Sequence, residues 1–207
     1  MLLVVGVLLV AAACGLGAWI MLSPGPFLID TAWNSLLVQN ASPFLTGFSR
    51  VMDFSGGGWI GVIAVPILGA IALLILRRPW SAVFFIAAEA ASAGAVQVLK
   101  HLFGRARPED IIVLSDFGSF PSGHVANAAT LATAAFILFP RLWVAIIGIA
   151  WVLFMAVSRT LLHAHWVSDT LGGALIGVGV VLILAGLFAP LLARERPDAA
   201  GTTASLS

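Results

Sequence analysis

Residues 79–108 read PWSAVFFIAAEAASAGAVQVLKHLFGRARP. From Trp80 to Leu102 the stretch is apolar and long enough for a helix to cross the hydrocarbon core of a bilayer, which takes about 20 residues. One carboxylate, Glu89, lies in its middle. An ionised group is costly there, so Glu89 is expected to be protonated or to face a polar partner such as Asn127. The stretch then turns abruptly basic, with Lys100, His101, Arg105 and Arg107 close together. A span that delivers cations to one face of a membrane is the frame into which the rest of the chain fits.

Five further apolar segments flank it: Leu2–Leu22, Trp59–Leu76, His124–Phe139, Leu142–Val157 and Val167–Leu192. Backbone groups in hydrocarbon must bond within their own segment, so these are helices. Composition agrees, because 61% of the 207 residues are hydrophobic and 9% are charged. A soluble domain carries about a quarter charged residues. The expected fold is therefore all-α: a polytopic membrane protein with six transmembrane helices in a bundle. Leu2–Leu22 reads as the first span because it lacks a basic leader and Pro24-Gly25-Pro26 is a poor cleavage site. One domain is expected over residues 1–193, with a disordered tail over 194–207. The single Cys14 excludes a disulfide within the chain, and a net charge of +1 gives no reason to expect nucleic acid. The expected partner is the lipid bilayer; nothing in the sequence sets an oligomeric state.

Arg77, Arg78, Arg141, Arg194 and Arg196 fall on one side of a six-span chain, which puts that side and both termini in the cytoplasm. Arg50, Lys100, Arg105, Arg107, Arg159 and all four histidines fall on the other side. Basic groups there oppose the topology signal, and an anion-binding site is a reason to keep them. In residues 23–58, Phe27, Leu28, Trp33, Leu36, Leu37, Phe44, Leu45 and Phe48 give a helical apolar rhythm, expected as short amphipathic helices on the outer surface.

Three clusters on the outer side carry chemistry. In Ser158-Arg159-x5-His165-x3-Asp169, His165 and Asp169 share a helix face, so the carboxylate can take one imidazole N–H and leave the other nitrogen as nucleophile. The alternative is a pair that only caps a helix. In Pro121-Ser122-Gly123-His124, the start of a span offers free N–H groups to an anion, and His124 can protonate a departing oxygen. The alternative is an ordinary capping serine. Lys100-x6-Arg107-Pro108 supplies a point charge and a planar fork suited to phosphate, or else a basic patch for lipid headgroups.

Taken together, Lys-x6-Arg-Pro, Pro-Ser-Gly-His and Ser-Arg-x5-His-x3-Asp resemble the signature of the type 2 phosphatidic acid phosphatase family, also called the lipid phosphate phosphatase superfamily. Every fixed position is present between Lys100 and Asp169, and the resemblance extends over all six expected spans. It implies a lipid phosphatase in which His165 attacks phosphorus to form a phosphohistidine, Asp169 orients it, and His124 protonates the leaving oxygen. Lys100, Arg107, Arg159 and the Ser122/Gly123 region would bind the phosphoryl oxygens. It implies no cofactor: there is no carboxylate cluster suited to magnesium and no Cys/His set for zinc. Substrates within the family include undecaprenyl diphosphate, phosphatidic acid, phosphatidylglycerophosphate and lipid A phosphates; a compact bacterial-looking chain favours the first or a broad specificity. A lipid-to-lipid phosphotransferase uses the same chemistry. A non-enzymatic lipid or anion transporter is the competing class, but its charged site belongs near the midplane, not at one face. His101, His163 and Arg105 match no motif position and read as rim residues. Asp110 and Asp116 read as solvated loop residues.

Overall fold

A computed structural model describes residues 1–23 and 25–195, and every regular element among them is helical. In order these are α1 (Leu2–Leu22), α2 (Leu28–Gln39), α3 (Pro43–Gly56), a π-helical turn (Ile60–Ala64), α4 (Val65–Ile75), α5 (Pro79–Phe103), α6 (Gly123–Leu138), α7 (Leu142–Leu161) and α8 (Val167–Ala193). Among the described residues, five helical runs are long and apolar enough to cross a membrane: α1, the run Pro43–Ile75, α5, α7 and α8. The expected fourth span, α6, is apolar but shorter. Its 16 residues rise about 24 Å, against a hydrocarbon core of about 30 Å.

Two boundaries differ from the sequence reading. Helix α7 runs past Val157 to Leu161, because Ser158 and Thr160 return their hydroxyls to the carbonyls of Met155 and Val157 at 2.8 and 2.9 Å and so stay compatible with helix. Arg159 thereby sits on its last turn. The second span does not begin cleanly at Trp59: α3 leads into it across Gly56-Gly57-Gly58, where Gly57 is extended and Gly58 has φ +54°. The π turn follows and ends just before Pro66, whose ring cannot donate to Val62 and would crowd that carbonyl in a regular helix.

Helix α8 is the hub, touching α1, α5 and α6. Lipid tails are as apolar as leucine, so burial alone does not drive helices together in a bilayer; close approach of small residues does. On α8, a methyl group at Gly173 would fall 2.5 Å from the Ser122 carbonyl oxygen, and one at Gly177 would fall 2.4 Å from that of Ala126. The small face of α8 is thus used against α6. Phe84, Phe85, Ala88, Ala134, Leu138, Val181 and Ala185 form one buried cluster, and Ala13, Val96, Leu99, Ala126 and Ile176 form another. Ile67, Leu68, Leu74, Ile146, Ile149 and Leu153 stay exposed, an apolar belt suited to lipid.

Helix ends aim the functional segments. Gly104, left-handed at φ 52°, stops α5 directly after its basic last turn and releases residues 105–122 across that end of the bundle. At the other end of α5, Glu195 accepts from the N–H groups of Trp80 and Ser81 (2.6 and 3.0 Å) and from the Ser81 hydroxyl (2.7 Å). A carboxylate at a helix N-terminus complements its dipole. The expected disordered tail over 194–207 is corrected to this extent: Arg194 and Glu195 are held, and the rest of it lies outside the described residues.

Candidate active site

The ends of α5, α6 and α7, with the adjoining turns that carry Arg107 and His165, meet around one cavity of about 570 Å³. Lys100, Arg107, Gly123, His124, Arg159 and His165 all line it. Ser122 and Asp169 are buried and stand behind the wall. Ser122 holds the N-cap position of α6 without a side-chain capping bond, and its N–H donates to the Asp169 carbonyl at 3.0 Å, so that N–H is committed within the fold. The N–H groups of the turn beginning at Gly123 have no acceptor inside the helix.

His165 lies in the turn between α7 and α8, almost fully buried. Its Nδ1 is 2.7 Å from the Ser119 carbonyl oxygen and 3.5 Å from Asp169 Oδ2. The near acceptor is therefore a backbone carbonyl, not the carboxylate expected from the spacing. Either acceptor puts the ring proton on Nδ1 and leaves Nε2 unprotonated, accepting from Arg107 Nη1 at 3.3 Å. Burial first, with the charges of Arg159 and Arg107 adding to it, pushes the imidazole pKa down to about 4 against the pull of Asp169. At neutral pH the ring is uncharged, as a nitrogen nucleophile must be.

Asp169 opens α8 by accepting the Trp166 N–H at 2.9 Å. Its other oxygen takes a hydrogen bond from Arg105. Arg105 is not the rim residue that the sequence suggests. Its side chain is 7% exposed and pairs with Asp30 of α2 at 2.7 Å as well as with Asp169. It also donates to the Ser168 hydroxyl, and Asp30 accepts the Ser168 N–H at 2.9 Å. Its guanidinium lies 5.7 Å from the Trp166 ring and 5.9 Å from that of Phe27. A buried network thus ties α2 to the first turn of α8.

The cationic groups have carboxylate partners that the sequence reading missed. Lys100 Nζ is 2.9 Å from Asp116 Oδ1, and Arg107 Nη2 is 2.8 Å from the same oxygen. Burial alone would raise the Asp116 carboxyl; the hydrogen bond from Lys100 and the two positive charges outweigh it and hold it below the usual carboxylate range. Arg159 donates to Asp53 of α3, whose Oδ1 also lies 3.0 Å from His124 Nε2. Gly57 leaves room for that histidine, since a methyl group there would fall 2.0 Å from His124 Nε2.

His101 is exposed and bonded to its own helix at Gln97. His163 meets Asn34 and Asp110 and does not line the cavity. Asn127 donates to the carbonyls of Gly56 and Gly61, not to Glu89, so the suggested pairing is corrected; Glu89 lines the cavity with Oε1 buried and unpartnered. Among the described residues no three His, Cys, Asp or Glu side chains converge as metal ligands.

The family model described as the PAP2 superfamily matches residues 80–193. The chain is 34% identical over 166 residues to the decaprenylphosphoryl-5-phosphoribose phosphatase of Mycobacterium tuberculosis, covering 77% of this chain and 89% of that one. It is 34% identical over 114 residues to a lipid A 1-phosphatase of Rhizobium johnstonii, and spans 46% of that protein's length. The crystal structure of a transmembrane PAP2-type phosphatidylglycerolphosphate phosphatase from Bacillus subtilis superposes with a TM-score of 0.80 at 23% identity, covering 90% of this chain and 96% of the other. At that identity the likeness is one of fold.

Proposed function

Because this chain belongs to the PAP2 superfamily, we propose that it is a multi-pass membrane phosphatase that hydrolyses a lipid phosphomonoester or diphosphate through a phosphohistidine on His165. The observation that supports this most is the convergence of a neutral, tautomer-fixed imidazole with Lys100, Arg107, Arg159 and the start of α6 on one cavity. Phosphoryl oxygens carry the developing charge of the reaction, so fixed cations and N–H donors stabilise it where it forms. His165 Nε2 attacks phosphorus, the bond to the leaving oxygen breaks, and protonated His124, held by Asp53, gives that oxygen its proton. Water then attacks the phosphoimidazole, His124 takes the proton back, and inorganic phosphate leaves.

The domain covers residues 1–193 and crosses the membrane six times, with α6 as the short inner span. Both termini are cytoplasmic, and the cavity faces the outside of the cell membrane. Helices α2 and α3 lie at that outer surface. A lipid can keep its tail in the bilayer, against the apolar wall formed by Ile63, Ile67 and Ile86, while its phosphate reaches the cations. The relatives' lipid substrates fit this arrangement, and so do undecaprenyl diphosphate, phosphatidic acid and phosphatidylglycerophosphate. No cofactor takes part. Transfer of the phosphoryl group to a second lipid is the alternative fate of the same intermediate. A transporter is disfavoured, since the charged groups gather at one end of the bundle.

The test is phosphate release by purified protein from a panel of lipid mono- and diphosphates in excess EDTA. Sustained turnover of at least one is expected; turnover that stops with EDTA and returns with magnesium contradicts the proposal. A second expectation concerns pH. Protonation of His165 removes the nucleophile, and its depressed pKa keeps it neutral from pH 7 down towards pH 4. The acid limb of kcat/KM, corrected for ionisation of the substrate phosphate, therefore lies near pH 4. A limb near the ordinary histidine value of about 6.5 would contradict the buried, neutral nucleophile.

A further inference from the structure

We infer that Asp116 is a specificity-determining residue that competes with substrate for the phosphate site and restricts it to doubly charged, terminal phosphates. The inference rests on the phosphatase reading above. One Asp116 oxygen bridges Lys100 Nζ at 2.9 Å and Arg107 Nη2 at 2.8 Å, two of the three cations proposed to hold phosphate. The Gly118 carbonyl completes the mimicry, accepting from Lys100 at 2.9 Å and from Arg107 at 2.8 Å. The cations are almost buried, with side-chain exposures of 2% and 12%, whereas Asp116 is 55% exposed. It stands on the stretch between α5 and α6, which has no helix or strand. The cations are thus fixed and the carboxylate is the partner free to leave.

Charge decides which ligand displaces it. A terminal phosphate brings close to two negative charges and three acceptor oxygens, more than one carboxylate supplies. A phosphodiester brings a single charge and two free oxygens, no advantage over the residue already there. The bilayer surrounding the protein consists largely of such diesters. An internal carboxylate of matching charge keeps them from occupying the site, and its return helps expel inorganic phosphate after turnover.

The test measures binding of inorganic phosphate and of vanadate to wild-type protein, Asp116→Asn and Asp116→Ala in detergent by calorimetry. It also measures inhibition of turnover by phosphatidylglycerol, a phosphodiester. In both variants phosphate and vanadate should bind roughly two- to fivefold more tightly, as expected when a half-exposed ion pair no longer competes. Phosphatidylglycerol, inert towards the wild type, should become a competitive inhibitor. Unchanged or weaker anion binding in variants that unfold at the wild-type temperature overturns the inference and leaves the phosphatase reading standing. Failure of the wild type itself to bind phosphate or vanadate overturns both.

Discussion

His165→Asn is expected to leave a folded protein whose phosphate release is lower by roughly four or more orders of magnitude, the scale of removing a covalent nucleophile. Asparagine suits the test because its side-chain amide can still donate towards the Ser119 carbonyl, which now accepts from Nδ1 at 2.7 Å. Alanine would leave that buried acceptor empty, at a cost of about 1–3 kcal/mol, and so mix stability with chemistry. The Lys100, Arg107 and Arg159 side chains remain, so the variant should still bind vanadate. Loss of turnover with anion binding retained assigns His165 to the reaction rather than to the fold. Release within tenfold of wild type would remove it from the mechanism.

Arg105→Ala is expected to damage stability and activity together. It leaves the carboxylates of Asp30 and Asp169, both with fully buried side chains, without the guanidinium they share. Breaking a buried ion pair by removing one partner costs about 3–5 kcal/mol, because the remaining charge stays out of water. Asp169 would also lose the bond on one of its two oxygens, and with it the fixed position of the first turn of α8 beside His165. A small misplacement of catalytic groups lowers turnover by roughly a hundredfold. Arg105→Lys should recover only part of either loss, since an ammonium lacks the planar fork that reaches Asp30 and Asp169 at once. Thermal unfolding in detergent and phosphate release from the same preparations check both halves. A variant that melts and turns over like the wild type would show the network to be inert.

The contrast between these two residues measures what the sequence makes legible. Spans were readable because hydrocarbon demands long apolar helices. Lys100, Arg107, His124, Arg159, His165 and Asp169 stand out as candidates because those residue types lie near helix ends at the spacing of a known motif. Arg105 does not, since an arginine in a basic cluster reads as a headgroup contact until its partner is known. That partner, Asp30, lies 75 residues away on a helix recognised only by its apolar rhythm. Asp53 is 106 residues from Arg159 and carries no local mark of its own. An excess of cations on the side that the charge pattern predicts to be outer is the one signal that could have prompted a search for buried carboxylates. The bond from His165 to the Ser119 carbonyl leaves no trace in residue type, because any residue supplies a carbonyl. The π turn before Pro66 and the cap that Glu195 places on α5 likewise arise from backbone geometry and from residues that lie 114 and 115 positions apart in the chain meeting in space.

The most direct measurement is chemical trapping of the intermediate. Purified protein is mixed with excess lipid phosphate, quenched in base during turnover, digested, and analysed by mass spectrometry. A phosphoryl group on the His165 imidazole is expected, stable in base, lost in acid, and missing from His165→Asn. Steady turnover with His165 unmodified, or with the phosphoryl group on another side chain, would contradict the account.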